Sequence, residues 1–118
     1  MDKFDLQIIT ALRELEISAH LLGYEYIKTA TKVLHENPTF IHSIAKKLYP
    51  AIAEIHGTIP SRVERGIRHA LESANSDFIT QKKVLGTARE LANGEFLATL
   101  HESIRVKMAM ELKESGGN

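Results

Sequence analysis

Residues 50–72 read PAIAEIHGTIPSRVERGIRHALE, and the punctuation of this stretch decides the fold. Pro50 suits the first turn of a helix, where its missing N–H is no loss. A short helical run from Ala51 to about Ile55 follows, with Ile52 and Ile55 facing inward, and Gly57 closes it. The next helix starts around Thr58-Ile59-Pro60-Ser61 and runs to about Ala74. Either Thr58 caps it with Pro60 in the first turn, or Ser61 caps it and Glu64 completes an S-x-x-E capping box. A short helix, a glycine turn and a second amphipathic helix form the layout of a helix-turn-helix over about residues 50–74.

At about 100° per residue from Ser61, the second helix has one apolar face made of Val63, Gly66, Ile67 and Ala70. Ser61, Arg65, Arg68 and Glu72 lie opposite, with Arg62 and His69 on one flank and Glu64 and Leu71 on the other. A helix about 10–12 Å wide fits the major groove of B-DNA, and its N-terminal residues reach furthest in. Arginine matches the O6 and N7 of guanine, and glutamate accepts from the N4 amine of cytosine. Arg62, Glu64 and Arg65 occupy the first turns, where such contacts are made. Arg68 and His69 come a turn later, level with a phosphate strand. The small Gly66 and Ala70 allow the preceding helix to cross closely. The competing reading is a solvated face of i,i+3 and i,i+4 ion pairs. A DNA reader requires Arg62, Arg65 and Arg68 exposed on one protruding helix.

Helical spacing continues outward on both sides, without apolar/polar alternation or a hairpin turn. Phe4, Ile8, Leu12 and Leu15 predict a helix over about 4–16. Tyr26, Ile27, Ala30, Val33 and Leu34 predict a second over about 23–36, stopped at Asn37-Pro38. A run after Thr39 places Ile41, Ile44, Ala45 and Leu48 inward, and Pro50 terminates or kinks it. Asn75-Ser76-Asp77 opens a helix over about 77–85, which Gly86 stops. A loop spans 86–93, Asn93 is a candidate cap for a last helix over about 94–113, and Ser115 begins a frayed tail. The expectation is an all-α fold of about six helices, with residues 1–118 forming one domain.

The 118 residues are 43% hydrophobic and 25% charged, which fits a globular chain and excludes a disordered or fibrous one. The absence of cysteine removes disulfides, cysteine-based zinc sites and thiol catalysis. No apolar run reaches the roughly 20 residues that span a bilayer, and the charged start does not suit a signal peptide. A soluble protein of the cytoplasm is expected. Fifteen basic and fifteen acidic residues cancel, so a polyanion site must be local. Residues 1–16 carry a net charge of −2 and residues 43–69 a net charge of +3, so the helix-turn-helix is the basic part of a neutral chain.

The strings Ala19-His20-Leu21-Leu22-Gly23-Tyr24-Glu25-Tyr26-Ile27, Ser43-Ile44, Leu48-Tyr49-Pro50, Ile52-Ala53 and Ser61-Arg62-Val63-Glu64-Arg65-Gly66-Ile67-Arg68-His69-Ala70 carry a further signal. Together with Glu95-Phe96 they resemble the C-terminal DNA-binding effector domain of the sporulation master response regulator of endospore-forming bacteria. The resemblance runs over about residues 5–112. It implies an all-helical transcription regulator of a two-component system that binds promoter boxes, with tandem copies on adjacent boxes. It implies base reading by Arg62, Glu64 and Arg65, and backbone or accessory contacts from Ser61, Arg68 and His69. Double-stranded promoter DNA is the implied partner, with the RNA polymerase sigma subunit as a second and weak self-association on tandem sites. The family's full protein has an N-terminal receiver domain with a phosphorylated aspartate. This chain lacks that domain, so an excised effector domain is expected, with a free-standing relative as the alternative, and its 86–93 loop is shorter than the family's.

Other chemistry is poorly supported. His20, His35, His42, His56, His69 and His101 include no i,i+4 pair and no H-E-x-x-H, so no metal is expected. His20 suits capping or packing between the first two helices, and His42 and His56 suit the surface. Tyr24, Tyr26 and Tyr49 suit core and rim. No phosphate loop or nucleophile elbow occurs, so no catalytic residue, cofactor or enzyme activity is expected. The remaining alternative is a helical protein-interaction module. Its surface would be the stripe of Phe96, Leu97, Leu100, Ile104 and Met108, if other helices leave that stripe uncovered.

Overall fold

The computed structural model describes residues 1–87 and 89–116, all in helices, turns and connecting segments with no strand among them. The part of the expected tail at 117–118 lies outside the described residues. Six α-helices follow in order: α1 (Lys3–Glu14), α2 (Leu22–Glu36), α3 (Tyr49–His56), α4 (Pro60–Glu72), α5 (Phe78–Leu85) and α6 (Asn93–Ser115). Between α2 and α3 lie a 3₁₀ turn, Pro38–His42, and a π turn, Ile44–Leu48. Among the described residues no helix is long and apolar enough to cross a membrane.

α1 begins where the Asp2 carboxylate accepts from the Asp5 N–H at 2.8 Å, satisfying one of the orphan donors of a helix start. It ends with Glu16 at φ 57°, in the left-handed region. There the Glu16 N–H donates to the Arg13 carbonyl and the Ile17 N–H to the Leu12 carbonyl, both at 3.0 Å, a Schellman closure. The reversal returns Ile17 to the core beside Leu12.

The core forms around α2. Ile8, Leu12, Ile27, Leu34, Leu48, Ile52, Val63, Ile67, Leu97 and Leu100 are almost wholly buried. Tyr24, Tyr26 and Tyr49 are also buried, as core or rim residues. α4 packs chiefly against α2, and α6 lies across α2, α1 and α4. The contact between α2 and α4 depends on absent side chains. A Cβ at Gly23 would overlap the Gly66 carbonyl oxygen and stand 2.7 Å from the Ala70 Cβ. A Cβ at Gly66 would stand 2.8 Å from the Tyr26 ring. The close crossing enabled by Gly66 and Ala70 is therefore with α2, and not with the preceding helix as the sequence suggested.

Several local expectations change. The run after Thr39 is not a regular helix, and Ala45 is exposed while Ile41 and Ile44 are only half-buried. The Ser43 carbonyl accepts from both Lys47 N–H at 2.7 Å and Leu48 N–H at 3.2 Å. This wider turn precedes Pro50, whose ring would press on the carbonyl four residues earlier in an α-helix. The chain therefore passes Pro50 as helix and does not end there. Ile55 points outward at 63% exposure, because Ile52 and Ala53 already fill the inner side of the short α3. Gly57, at φ 64°, then closes α3 in the left-handed region. Neither Thr58 nor Ser61 caps α4: Ile59 is the N-cap, with no side-chain hydrogen bond, and the helix ends at Glu72, short of Ala74. Asn93 lies inside α6, whose N-cap is Ala92, and the helix continues to Ser115. α5 keeps its expected range, capped by Asp77, whose carboxylate accepts from the Thr80 N–H at 2.8 Å.

Candidate nucleic-acid interface

α4 separates its two faces sharply. Val63, Ile67 and Ala70 are fully buried, while Ser61, Arg62, Arg65, Arg68 and His69 are exposed. Glu64 is half-buried on the flank. The exposed residues thus share one outward surface over two turns, starting at the free N-terminal end of the helix.

The charges on this surface are unequally engaged. Arg68 Nη2 lies 3.6 Å from Glu64 Oε2, an i,i+4 pair with both side chains partly exposed, and such surface pairs contribute little. Among the described residues Arg62 and Arg65 take part in no salt bridge. Their guanidinium donors face solvent. The exposure that a DNA reader requires, and that an interaction-only module does not, is met by all three arginines, and among the described residues only Arg68 of the three is paired.

A tether missed by sequence reasoning fixes α4 from behind. The Asn93 side-chain amide donates to the Glu64 main-chain carbonyl at 3.0 Å and to the Tyr49 hydroxyl at 3.3 Å. One side chain of α6 thereby links the first residue of α3 to the middle of α4. Burial pushes the Tyr49 phenol above its ordinary value, so it remains protonated at neutral pH. The only advance signal was a polar residue at the start of α6, which reads equally well as a cap. A second link joins α3 to α2: His56 Nε2 lies 2.6 Å from Thr29 Oγ1, and its ring meets the Tyr26 ring edge-on.

Lys46 and Lys47 are exposed on the π turn that leads into α3, and the Lys47 ammonium lies 5.8 Å from the centre of the Phe40 ring. The remaining histidines do not assemble a metal centre. His20 is exposed and bonded to Ser18 Oγ at 2.6 Å, so it neither packs between α1 and α2 nor caps α2, which starts from Leu21 without a side-chain cap. His35 Nδ1 lies 3.3 Å from His101 Nε2, with Phe4 stacked on His35. Among the described residues no group of three or more His, Cys, Asp or Glu is arranged to hold a metal ion. The stripe on α6 is covered: Phe96, Leu97, Leu100 and Ile104 are buried and Met108 is half-buried.

The family model described as "Sporulation initiation factor Spo0A C terminal" matches residues 8–104, a span that includes all of α2 to α5 and the whole exposed surface of α4.

Proposed function

The chain belongs to the Spo0A C-terminal family, the DNA-binding domain of a sporulation transcription regulator, and we propose that α4 is its reading helix. Membership does not favour the alternative of a protein-interaction module without DNA binding. In this reading the N-terminal turns of α4 lie in the major groove of a promoter box. Arg62 and Arg65 read guanines, and Glu64 reads a cytosine after releasing Arg68. Ser61, Arg68 and His69 hold the backbone at the groove's edge. The observation that carries the proposal is the exposure of Arg62 and Arg65, without carboxylate partners among the described residues, opposite the buried Val63, Ile67 and Ala70.

Residues 1–118 act as one effector domain, in the cytoplasm where promoter DNA is found. Two finer readings concern partners. The RNA polymerase sigma subunit is a second partner, reached from the side away from the DNA. Copies of the domain also touch weakly on tandem boxes. The exposed Phe78 and Ile79 on α5, and Val106 and Met110 on α6, support a contact surface there.

The proposal is tested by titrating the protein against a duplex with tandem boxes and a scrambled duplex over a range of salt. Specific binding should exceed scrambled binding by about 10³-fold or more and fall with rising salt. Equal affinity for both duplexes at every salt concentration would refute it.

A further inference from the structure

Ile59 stands immediately before the exposed helix, and the fold gives no reason for an isoleucine there. It is the N-cap of α4, with extended backbone at φ −117° and ψ 153°, and its side chain caps nothing. Helix starts favour Ser, Thr, Asp or Asn, because a side-chain oxygen accepts from an orphan N–H. Here the Arg62 N–H is met by the Ile59 main-chain carbonyl at 3.0 Å, and the Ile59 side chain adds nothing to the helix start. Burial does not compensate, since Ile59 is 54% exposed and stands outside the core that Val63 and Ile67 join. Leu21 and Ala92 also start helices without a side-chain cap, so it is the large exposed hydrocarbon at the start of α4, not the missing cap alone, that points to a role outside the fold.

The chemistry of the position suggests that role. Pro60 follows with its φ fixed, so α4 starts rigidly just beyond Ile59. The N-terminal end of a reading helix reaches furthest into the groove. The major groove offers an apolar side chain one apolar partner, the C5 methyl of thymine. Resting on the assignment of α4 as the reading helix, we infer that Ile59 is a specificity-determining residue that packs against a thymine methyl beside the bases read by Arg62, Glu64 and Arg65.

The test starts from boxes selected out of a randomised duplex pool by the wild-type protein. Each thymine of the selected box is then replaced singly by deoxyuridine, which removes the methyl and keeps the pairing. At one thymine the wild type should lose about fourfold in affinity, the worth of one buried methyl. Ile59→Ser should bind the thymine and deoxyuridine forms equally at that position, near the wild type's deoxyuridine level. Serine is a preferred cap, so Ile59→Ser should melt no lower than the wild type, which separates lost contact from lost fold. The inference is overturned if no single thymine matters to the wild type, if the selected box contains none, or if Ile59→Ser keeps the wild-type ratio. A wild type that discriminates the box, with Arg65→Ala losing that discrimination, but shows no methyl dependence sinks this inference alone. A wild type that selects no box sinks the assignment of α4 as well.

Discussion

Arg65 and Arg68 sit three residues apart on the same exposed surface, and the proposed reading gives them different work. Arg65 has no carboxylate partner among the described residues, whereas Arg68 is held 3.6 Å from Glu64 and lies a turn further from the helix start. Arg65→Ala should therefore weaken specific binding by roughly 1–3 kcal/mol and relax preference at one base pair. Arg68→Ala should lower affinity on every sequence and flatten the salt dependence. Titrations of both variants on box and random duplexes at several salt concentrations check this. Equal losses on both DNAs for both variants would show the roles are wrongly divided. Away from the interface, Glu16 holds a left-handed conformation at φ 57° that disfavours any side chain. Glu16→Gly should raise stability to chemical denaturation by about 0.5–1 kcal/mol, since glycine enters that region without strain. The exposed arginines were legible from helical periodicity. The strain at Glu16 was not, because no glycine marks the turn.

At the level of elements, the position of α4 depends on its fit to α2. Gly23→Ala would drive a methyl into the Gly66 carbonyl and the Ala70 Cβ, where only backbone movement makes room. A loss of about 1–3 kcal/mol is expected by chemical denaturation, as for other overpacked contacts. DNA affinity should fall with it, because the displaced element is the proposed reading helix. The junction of α1, α2 and α6 holds a pH-sensitive contact. Burial, then the neighbouring His35, keep the His101 imidazole below its ordinary value of 6.5. The folded state therefore takes up the proton less readily than the unfolded chain. The stability tied to His101 is complete above about pH 6.5 and is lost as pH falls through the folded value. Thermal melts from pH 7.5 to 5 should show this decline, and His101→Leu should reduce its slope. An unchanged slope would remove His101 from the account. The helices themselves were largely legible, since α2 and α5 fall within a residue of their expected limits. The segment before Pro50 was not. Apolar spacing reports a helical turn but cannot distinguish the wider π turn that precedes Pro50 from an α-helical one. Ile55 was misplaced for a related reason, because a short helix has too few core positions to hold every apolar residue on it.

For the whole molecule, the zero net charge means that long-range attraction to DNA comes only from the local basic region. Zero net charge leaves little long-range repulsion or attraction between two copies, and the proposal is that DNA assembles them. Sedimentation should give a monomer in free solution, and two-box DNA should bind with higher affinity per site than one-box DNA, because adjacent sites raise the effective concentration. A tight free dimer, or equal affinity per site, would contradict this. The helix-turn-helix was readable from proline, glycine and periodicity. Its docking was not, because Gly23 meets Gly66 and Asn93 meets Glu64 across long stretches of chain, and spacing along a sequence carries no record of such pairs. The central claim is that α4 presents its N-terminal turns to a promoter box. Mapping backbone amide shifts by NMR as a box duplex is added tests it most directly. The largest changes should run from Ile59 to His69, with little change at Phe4, His35 and His101. Dominant changes on α5 or α6, with α4 unaffected, would contradict the claim.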